Sequence, residues 1–358
     1  MVSDFFYPGL GGIEMHQFQL ASVLIEHGYK VVVITKTYNG RQGVRYMNNG
    51  IKVYYLPYGE FIPVVVNVSL ILPTAIFRYI FIREEVDLVH AHQAASTLGM
   101  MALQAAHLLG LKTAFTDHSL FGYSLGDLML SMVNKVTFCN LDVAIGVSHI
   151  SKVNLSLRAY IDPNIIFSIP NAVNFPDFIP DPSQRSTDRI IIVSISRLTY
   201  RKGTDLLVEV IPQIIKMNNN VDFIIGGDGE KFYLLEEMRD KFNLHKRVTL
   251  LGNVAFKDVR SVLVKGHIFL NTSLTEAFCI AILEAASCGL LVVSTNVGGI
   301  TEVLPKDMTY LADPKDKSLI KATQNAIADI GVMDSNKMHD RVKELYSWES
   351  TTLRVVKL

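Results

Sequence analysis

Cysteine is scarce. The 358 residues hold three, Cys139, Cys279 and Cys288, an odd number with no C-x-x-C pair. That excludes a disulfide scaffold and a cysteine-based structural zinc site, and it favours a reducing compartment. Net charge is missing too: 34 basic and 34 acidic side chains cancel, and no Lys/Arg tract occurs. Nothing here marks an electrostatic nucleic-acid binder, so no nucleic-acid partner is expected. No basic segment followed by an apolar stretch opens the chain, so no signal peptide is visible. An uncharged run, residues 61–77, is interrupted by Pro63, Asn67, Ser69 and Pro73. It stands at the short limit for a membrane span, and a buried or membrane-facing segment is expected instead. No D-x-D, no G-x-x-x-x-G-K-[ST] and no G-x-S-x-G occurs. A carboxylate pair for a phosphate-bound metal, a P-loop and a nucleophile elbow are thereby excluded.

Apolar residues are plentiful at 49%, with a mean hydropathy of +0.27, which excludes a disordered chain and keeps a membrane surface in play. The length suggests two domains at roughly 100–200 residues each. Short apolar runs alternate with helical patterns. Val31-Val32-Val33-Ile34, Val86-Asp87-Leu88-Val89, Thr113-Ala114-Phe115-Thr116 and Val143-Ala144-Ile145-Gly146-Val147 read as buried parallel strands. A helix is expected over 13–27, with Gly28 as its C′ residue. A second series of runs starts at Ile190 and continues from Phe223, Val248, His267 and Leu290. After Thr204, a capping-type start is expected, with Leu206, Leu207, Val210, Ile211, Ile214 and Ile215 on one helix face. The alternation implies an α/β protein of two doubly wound, Rossmann-like domains facing across a cleft. Residues 1–170 form the first domain and 190–345 the second. Residues 171–189, which include Pro176, Pro180 and Pro182, read as a linker, and 346–358 as a C-terminal tail.

The residues that could carry chemistry each have an ordinary structural reading beside the functional one. Gly9-Leu10-Gly11-Gly12 could admit an anion to a helix N-terminus or be a plain tight turn. Its spacing is not the dinucleotide fingerprint, which argues against a dehydrogenase. Arg197 and Lys202 flank a helix start, where two cations suit a diphosphate; a solvated basic turn is the alternative. Glu276 and Glu284 form an E-x7-E pair, with Glu276 expected at a helix start. On a continuous helix they would lie about 12 Å apart along the axis and about 80° apart around it, too far to share a proton but suited to two ends of a long ligand. His118 ends a strand of the first domain. His90 and His92 have a spacing that could serve a metal, but no third ligand is evident in the sequence, so packing or acceptor contacts are favoured and no metal site is expected.

Taken in order, these motifs resemble the retaining GT-B glycosyltransferases. They are Met1-Val2-Ser3-Asp4-Phe5-Phe6-Tyr7-Pro8 with Gly11-Gly12, Phe115-Thr116-Asp117-His118-Ser119-Leu120-Phe121-Gly122, Ile169-Pro170-Asn171-Ala172-Val173, Ser196-Arg197-Leu198 with Arg201-Lys202-Gly203, Gly226-Gly227-Asp228-Gly229, and the E-x7-E with Gly298-Gly299-Ile300. More narrowly, the chain resembles the catalytic subunits of phosphatidylinositol N-acetylglucosaminyltransferases, which begin GPI-anchor synthesis. The likeness runs from Met1 to about residue 349. The family's lead-in and its C-terminal membrane helix have no counterpart here, so the tail is expected to be cut short.

The resemblance implies transfer of N-acetylglucosamine from UDP-GlcNAc to phosphatidylinositol with retention and with no metal or other cofactor. Arg197 and Lys202 would neutralise the diphosphate, and Glu276 would hold the donor sugar. Backbone N–H groups near Phe278 and Cys279 would meet the phosphates, Glu284 the ribose, and Gly252 with Asn253 the uracil. Gly11 and Gly12 would lie against the diphosphate, with His118 beside the sugar. Further implications are partner subunits and a place at the endoplasmic reticulum membrane, on its cytoplasmic face. The sequons at Asn67, Asn154 and Asn271 would be unused there. A related lipid glycosyltransferase with a mannosyl donor, or a non-catalytic subunit of the same fold, are the rival readings.

Overall fold

The computed structural model describes residues 1–9, 11–38, 40–57, 72–122, 125–332 and 334–358. The uncharged run expected at the membrane lies outside the described residues from 61 to 71. The chain divides into two compact units, Met1–Asn171 with Trp348–Leu358, and Ala172–Ser347.

The first unit opens on Val2, whose backbone bridges both Ile34 and Ala91 in parallel. Next come α1 (Gly12–Glu26), β1 (Val32–Lys36), β2 (Gly43–Tyr46), β3 (Lys52–Leu56), α2 (Leu72–Arg83), β4 (Leu88–His92) and α3 (Thr97–Leu108). They are followed by β5 (Lys112–Asp117), α4 (Leu125–Thr137), β6 (Val143–Gly146), α5 (His149–Ala159) and β7 (Ile166–Ser168). The strand orders are β1-β3-β2 and β4-β5-β6-β7, joined through Val2. All pairs are parallel except β2 with β3. Helices α2, α3, α4 and α5 pack in succession, as same-handed crossovers over sequential parallel strands require. Helix α1 ends as expected, with Gly28 in a left-handed conformation (φ +86°) just past its cap.

The second unit contains β8 (Ile190–Ile195), α6 (Thr204–Met217), β9 (Val221–Gly226), α7 (Phe232–Lys241), β10 (Val248–Leu250), α8 (Phe256–Leu263), β11 (Ile268–Asn271), α9 (Ile280–Ser287), β12 (Leu291–Thr295), β13 (Thr309–Ala312), α10 (Asp316–Ala328) and α11 (Ser335–Leu345). Its six strands are parallel in the order β10-β9-β8-β11-β12-β13. Strands β11 and β12 are buried throughout, which accounts for the apolar runs Ile268-Phe269-Leu270 and Leu291-Val292-Val293 that make up most of them. The six apolar residues expected on one face of α6 are all buried, but Gly203 is the N-cap and no side chain caps the helix.

Two expected boundaries differ. Residues 172–189 are no free linker: Ala172, Val173, Phe175 and Phe178 are buried, and Arg185 donates to the carbonyls of Cys288 and Gly289. Nor do 348–358 form a loose tail. They make α12 (Trp348–Val356), which packs on α1 and sets the Trp348 ring 5.2 Å from that of His16. Burying a large apolar side chain contributes about 1.5–3 kcal/mol to that packing.

Candidate active site

In open parallel sheets, ligands bind beyond the carboxyl ends of the strands, at the point where strand order reverses. In the second unit the chain builds outward from β8 through β9 to β10, then crosses back to place β11 on the other side of β8. The reversal therefore lies between β8 and β11. The loop after β8 carries Arg197 and Lys202, and the loop after β11 carries Glu276.

Those two loops touch through a charge pair. Lys202 Nζ lies 2.5 Å from Glu276 Oε1, and Ser273 Oγ donates to the same oxygen at 2.8 Å. Burial is the largest influence and works to lower the Lys202 pKa, but the charge and hydrogen bond of Glu276, together with the nearby Cys279, hold the ammonium above its ordinary value. Both side chains are largely withdrawn from solvent, at 24% and 11% exposure, so the pair is not screened as a surface pair would be. Arg197 is exposed and lies close enough to Lys202 to oppose its charge. The backbone is tightly packed here. A Cβ on Gly203 (φ +70°) would fall 1.8 Å from the Thr272 carbonyl oxygen, and one on Gly227 (φ +130°) equally close to that of Ser196. Only glycine fits either turn.

Glu276 is not at a helix start. Helix α9 begins at Ile280, behind Cys279 in a left-handed conformation (φ +77°). The E-x7-E thus straddles a bend, and the spacing expected for a continuous helix does not apply. Glu284 sits in the second turn of α9, half-buried, with no hydrogen-bonding partner for its carboxylate among the described residues. Burial pushes its pKa up to about 7. Cys279 is half-buried as well, and burial pushes its thiol up to about 12, so it is no nucleophile near neutral pH. Phe278 is a core residue whose ring meets Tyr346 edge-on at 5.7 Å, leaving only its backbone for a ligand. At the end of β10, Gly252 (φ +66°) accepts a 2.7 Å hydrogen bond from Gly227 N, and Asn253 is exposed.

In the first unit, Gly11 and Gly12 form the N-terminus of α1, as the sequence suggested, and Gly11 packs closely on Glu14. His118 follows β5 and is half-buried. Sequence spacing missed its company. His92 Nδ1 lies 3.2 Å from His118 Nε2, and the His16 ring centroid is 4.5 Å from that of His118. Burial lowers the pKa of His16 to about 4 and of His90 to about 3, and holds His92 and His118 far below the ordinary histidine range. Burial also raises Asp117 to about 7, although backbone N–H groups of Ala94, Ser119 and His118 oppose it.

Two family models match, PIGA (GPI anchor biosynthesis) over residues 36–125 and Glycosyl transferases group 1 over residues 177–344. A phosphatidylinositol N-acetylglucosaminyltransferase subunit of Arabidopsis thaliana is 51% identical over 99% of this chain and 79% of its own length. The Homo sapiens protein of the same name is 48% identical over all of this chain and 75% of its own. The chain belongs to the PIGA family of phosphatidylinositol N-acetylglucosaminyltransferases. It is therefore a glycosyltransferase of GPI-anchor biosynthesis. Among solved structures, sucrose-phosphate synthase from Thermosynechococcus elongatus superposes with a TM-score of 0.83 at 22% identity, covering 97% of this chain and 92% of that one. HepE of Anabaena in complex with UDP does so with a TM-score of 0.78 at 17% identity, covering 99% and 97%. These likenesses establish a GT-B fold.

Proposed function

We propose that the chain transfers N-acetylglucosamine from UDP-GlcNAc to the inositol 6-hydroxyl of phosphatidylinositol, with retention and without a metal, as one component of a larger transferase. The observation that carries this reading is the Lys202–Glu276 pair at the strand-order reversal of the second unit. Breaking a sugar–phosphate bond needs positive charge beside the departing phosphate and a group that holds the sugar as it gains positive charge. Lys202 and Glu276 supply one of each, already in register. Arg197 adds a second cation, so the diphosphate can be neutralised without the carboxylate-bound metal that a D-x-D motif would supply.

The remaining residues divide along the donor. Backbone N–H groups at the start of α9, beside Phe278 and Cys279, face the phosphates through the helix N-terminus. Glu284 accepts both ribose hydroxyls, and Gly252 with Asn253 meets the uracil. In the first unit, Gly11, Gly12 and His118 are taken, as in the family, to be substrate-contacting residues. Cys279 is protonated and Glu276 is held by Lys202, so neither is a free nucleophile. That favours front-face attack, with the leaving phosphate taking the acceptor's proton.

A lipid acceptor calls for a membrane surface, and we place that contact on the outer face of the first unit, at the cytoplasmic side of the endoplasmic reticulum. Helix α4 is inverted relative to an ordinary surface helix. Ser131, Asn134 and Thr137 point inward, while Leu125, Leu128, Met129, Met132, Val133 and Val136 are exposed. Adjacent α5 exposes Ile150, Val153 and Leu157. Lys135, on α4 itself, stacks over the Tyr160 ring just past α5 at 4.1 Å. An aromatic and basic pair bordering an apolar face matches the headgroup layer of an anionic bilayer. No helix among the described residues is long and apolar enough to cross a membrane.

The test is a transfer assay on the assembled complex, with vesicles containing phosphatidylinositol and EDTA present. UDP-GlcNAc should give a glycolipid product and GDP-mannose should not. Loss of turnover in chelator, restored by Mn²⁺, would refute the metal-free reading. Product from GDP-mannose alone would refute the donor.

A further inference from the structure

The first unit brings three histidines from distant parts of the chain into one nest, at the strand-order reversal between the Val2 segment and β4. His16 comes from α1, His92 from the end of β4 and His118 from just after β5. One ring nitrogen from each lies within 4.8 Å of the others. His92 Nδ1 and His118 Nε2 are 3.2 Å apart. Two imidazole nitrogens bound to one tetrahedral zinc at about 2.0–2.1 Å would be separated by about 3.3–3.4 Å. The pair is therefore close to a bite geometry, and a ring nitrogen of His16 lies within 4.8 Å of both.

The hydrogen bonding of the nest is incomplete. His16 Nδ1 and His92 Nε2 are buried without partners. A neutral imidazole carries one donor and one acceptor. If His92 donates from Nδ1 to His118, its Nε2 is a stranded acceptor; if Nε2 carries the proton, that proton is a stranded donor. Either state leaves a buried polar atom unsatisfied, at a cost of about 1–3 kcal/mol. A bound cation would engage such lone pairs. The supporting shell is already in place. His16 is bordered by the Trp348 ring, and the His90 ring lies 4.2 Å from His92 while bonding Thr116 Oγ1 at 2.7 Å. Partners of this kind fix ligand rings in metal sites.

The donor set selects the ion. Three neutral imidazoles, with no carboxylate or thiolate, suit borderline transition ions and not Mg²⁺ or Ca²⁺. His118 alone of the three is partly open to solvent, which leaves a coordination position for water.

We propose that His16, His92 and His118 form a three-imidazole site for zinc or a similar borderline divalent ion, and that filling it suppresses transfer by withdrawing His118 from the substrate. The second half rests on the role given to His118 above; the first half does not. The site is inhibitory and separate from the chemistry of the Lys202–Glu276 pair, so it is compatible with transfer in chelator.

The experiment uses the chelator-stripped protein and cobalt as the probe, with zinc titrated calorimetrically. One ion per chain and a tetrahedral cobalt band displaced by zinc are expected. His16→Gln and His92→Gln should each abolish the band, whereas His245→Gln, at an exposed histidine, should leave it. Absence of the band in the wild type, or its survival in both nest variants, overturns the site. Should either variant fail to fold by circular dichroism, zinc protection of the wild-type histidines against carbethoxylation, mapped by mass spectrometry, replaces it. Lack of protection at His16 and His92 is then the refuting result. In the transfer assay zinc should inhibit and EDTA should restore the rate. Zinc binding with an unchanged rate overturns the inhibitory half alone. Cobalt binding by a protein that transfers no sugar under any condition counts against the transferase reading and supports the site.

Discussion

Lys202 and Glu276 are bound to each other across the reversal between β8 and β11, before any substrate is present. Each is therefore already desolvated and oriented, and substrate binding must redirect the pair. Interactions made only in the transition state appear in kcat, and those made equally in ground and transition states appear in KM. Glu276→Gln should lower kcat, by about 10- to 150-fold for one charge-assisted hydrogen bond. It should leave UDP affinity equal or slightly higher, because Lys202 is released. Lys202→Met should weaken UDP itself by a similar factor. Calorimetry with UDP, alongside steady-state rates, checks both. Loss of UDP affinity in Glu276→Gln with its retention in Lys202→Met would reverse the assignment.

Glu284 gives a pH-dependent test with two readouts. Its folded pKa of about 7 stands above the ordinary 4.5. The folded protein therefore keeps a proton that the unfolded chain has released. Ionising the group costs stability progressively from pH 4.5 to 7, and the cost is full above that. Glu284→Gln should raise the thermal midpoint at about pH 8 and leave it unchanged at about pH 4, with an effect of about 1–3 kcal/mol once partial exposure is discounted. UDP affinity of the wild type should fall by up to about tenfold per pH unit below the Glu284 pKa, with the Gln variant lacking that component. Equal pH profiles for the two proteins would remove Glu284 from the ribose.

Much of this arrangement is legible in the sequence where it depends on local spacing. The strands of the second unit are built on short apolar runs, and the α6 face follows from helical periodicity. The reversal between β8 and β11 is not local, and neither is the histidine nest. His16, His92 and His118 share no spacing, and only the parallel pairing of β4 with β5 and the return of α1 over the sheet bring them together. The E-x7-E shows the opposite failure. Its spacing suggests a single helix, but Cys279 turns the backbone left-handed and separates the glutamates into a loop and a helix. No residue type at position 279 signals that turn, since glycine or asparagine would be the usual choice there. The C-terminal segment reads as a tail because it leaves the family pattern, whereas its buried Trp348, Thr351 and Thr352 hold α12 on α1.

Glu84 anchors the first unit against acid. It is 5% exposed and accepts hydrogen bonds from Lys52 Nζ and Tyr54 Oη, each at 2.5 Å, with Lys30 Nζ at 3.5 Å. Burial alone would raise its pKa, but the bonds from Lys52 and Tyr54 prevail and hold it at about 2, below the ordinary 4.5. The stability it contributes is present above pH 4.5 and lost as pH falls towards 2. The difference corresponds to about 3 kcal/mol. Glu84→Gln should lower stability by about 2–4 kcal/mol at neutral pH and flatten the acid limb of a urea-denaturation series. An unchanged acid limb would show that other carboxylates carry it.

The inverted helix α4 makes the membrane reading testable without touching the site. Leu128, Met129 and Met132 are 44%, 62% and 73% exposed, so replacing them with serine removes little core packing and should shift stability by no more than about 0.5 kcal/mol. Burying them in the headgroup boundary is worth about 1–2 kcal/mol apiece, using about 25 cal/mol per Å² of apolar area. The triple variant should therefore lose flotation with phosphatidylinositol-containing vesicles by one to several orders of magnitude, about tenfold per 1.4 kcal/mol. Wild-type flotation should weaken in high salt if Lys135 contributes at the rim. If the variant floats like wild type but no longer co-purifies with the other subunits of the transferase, the face belongs to a protein partner and not to lipid. Unchanged flotation and unchanged assembly would leave α4 without a partner of either kind and remove the support it gives to a membrane-docked acceptor site.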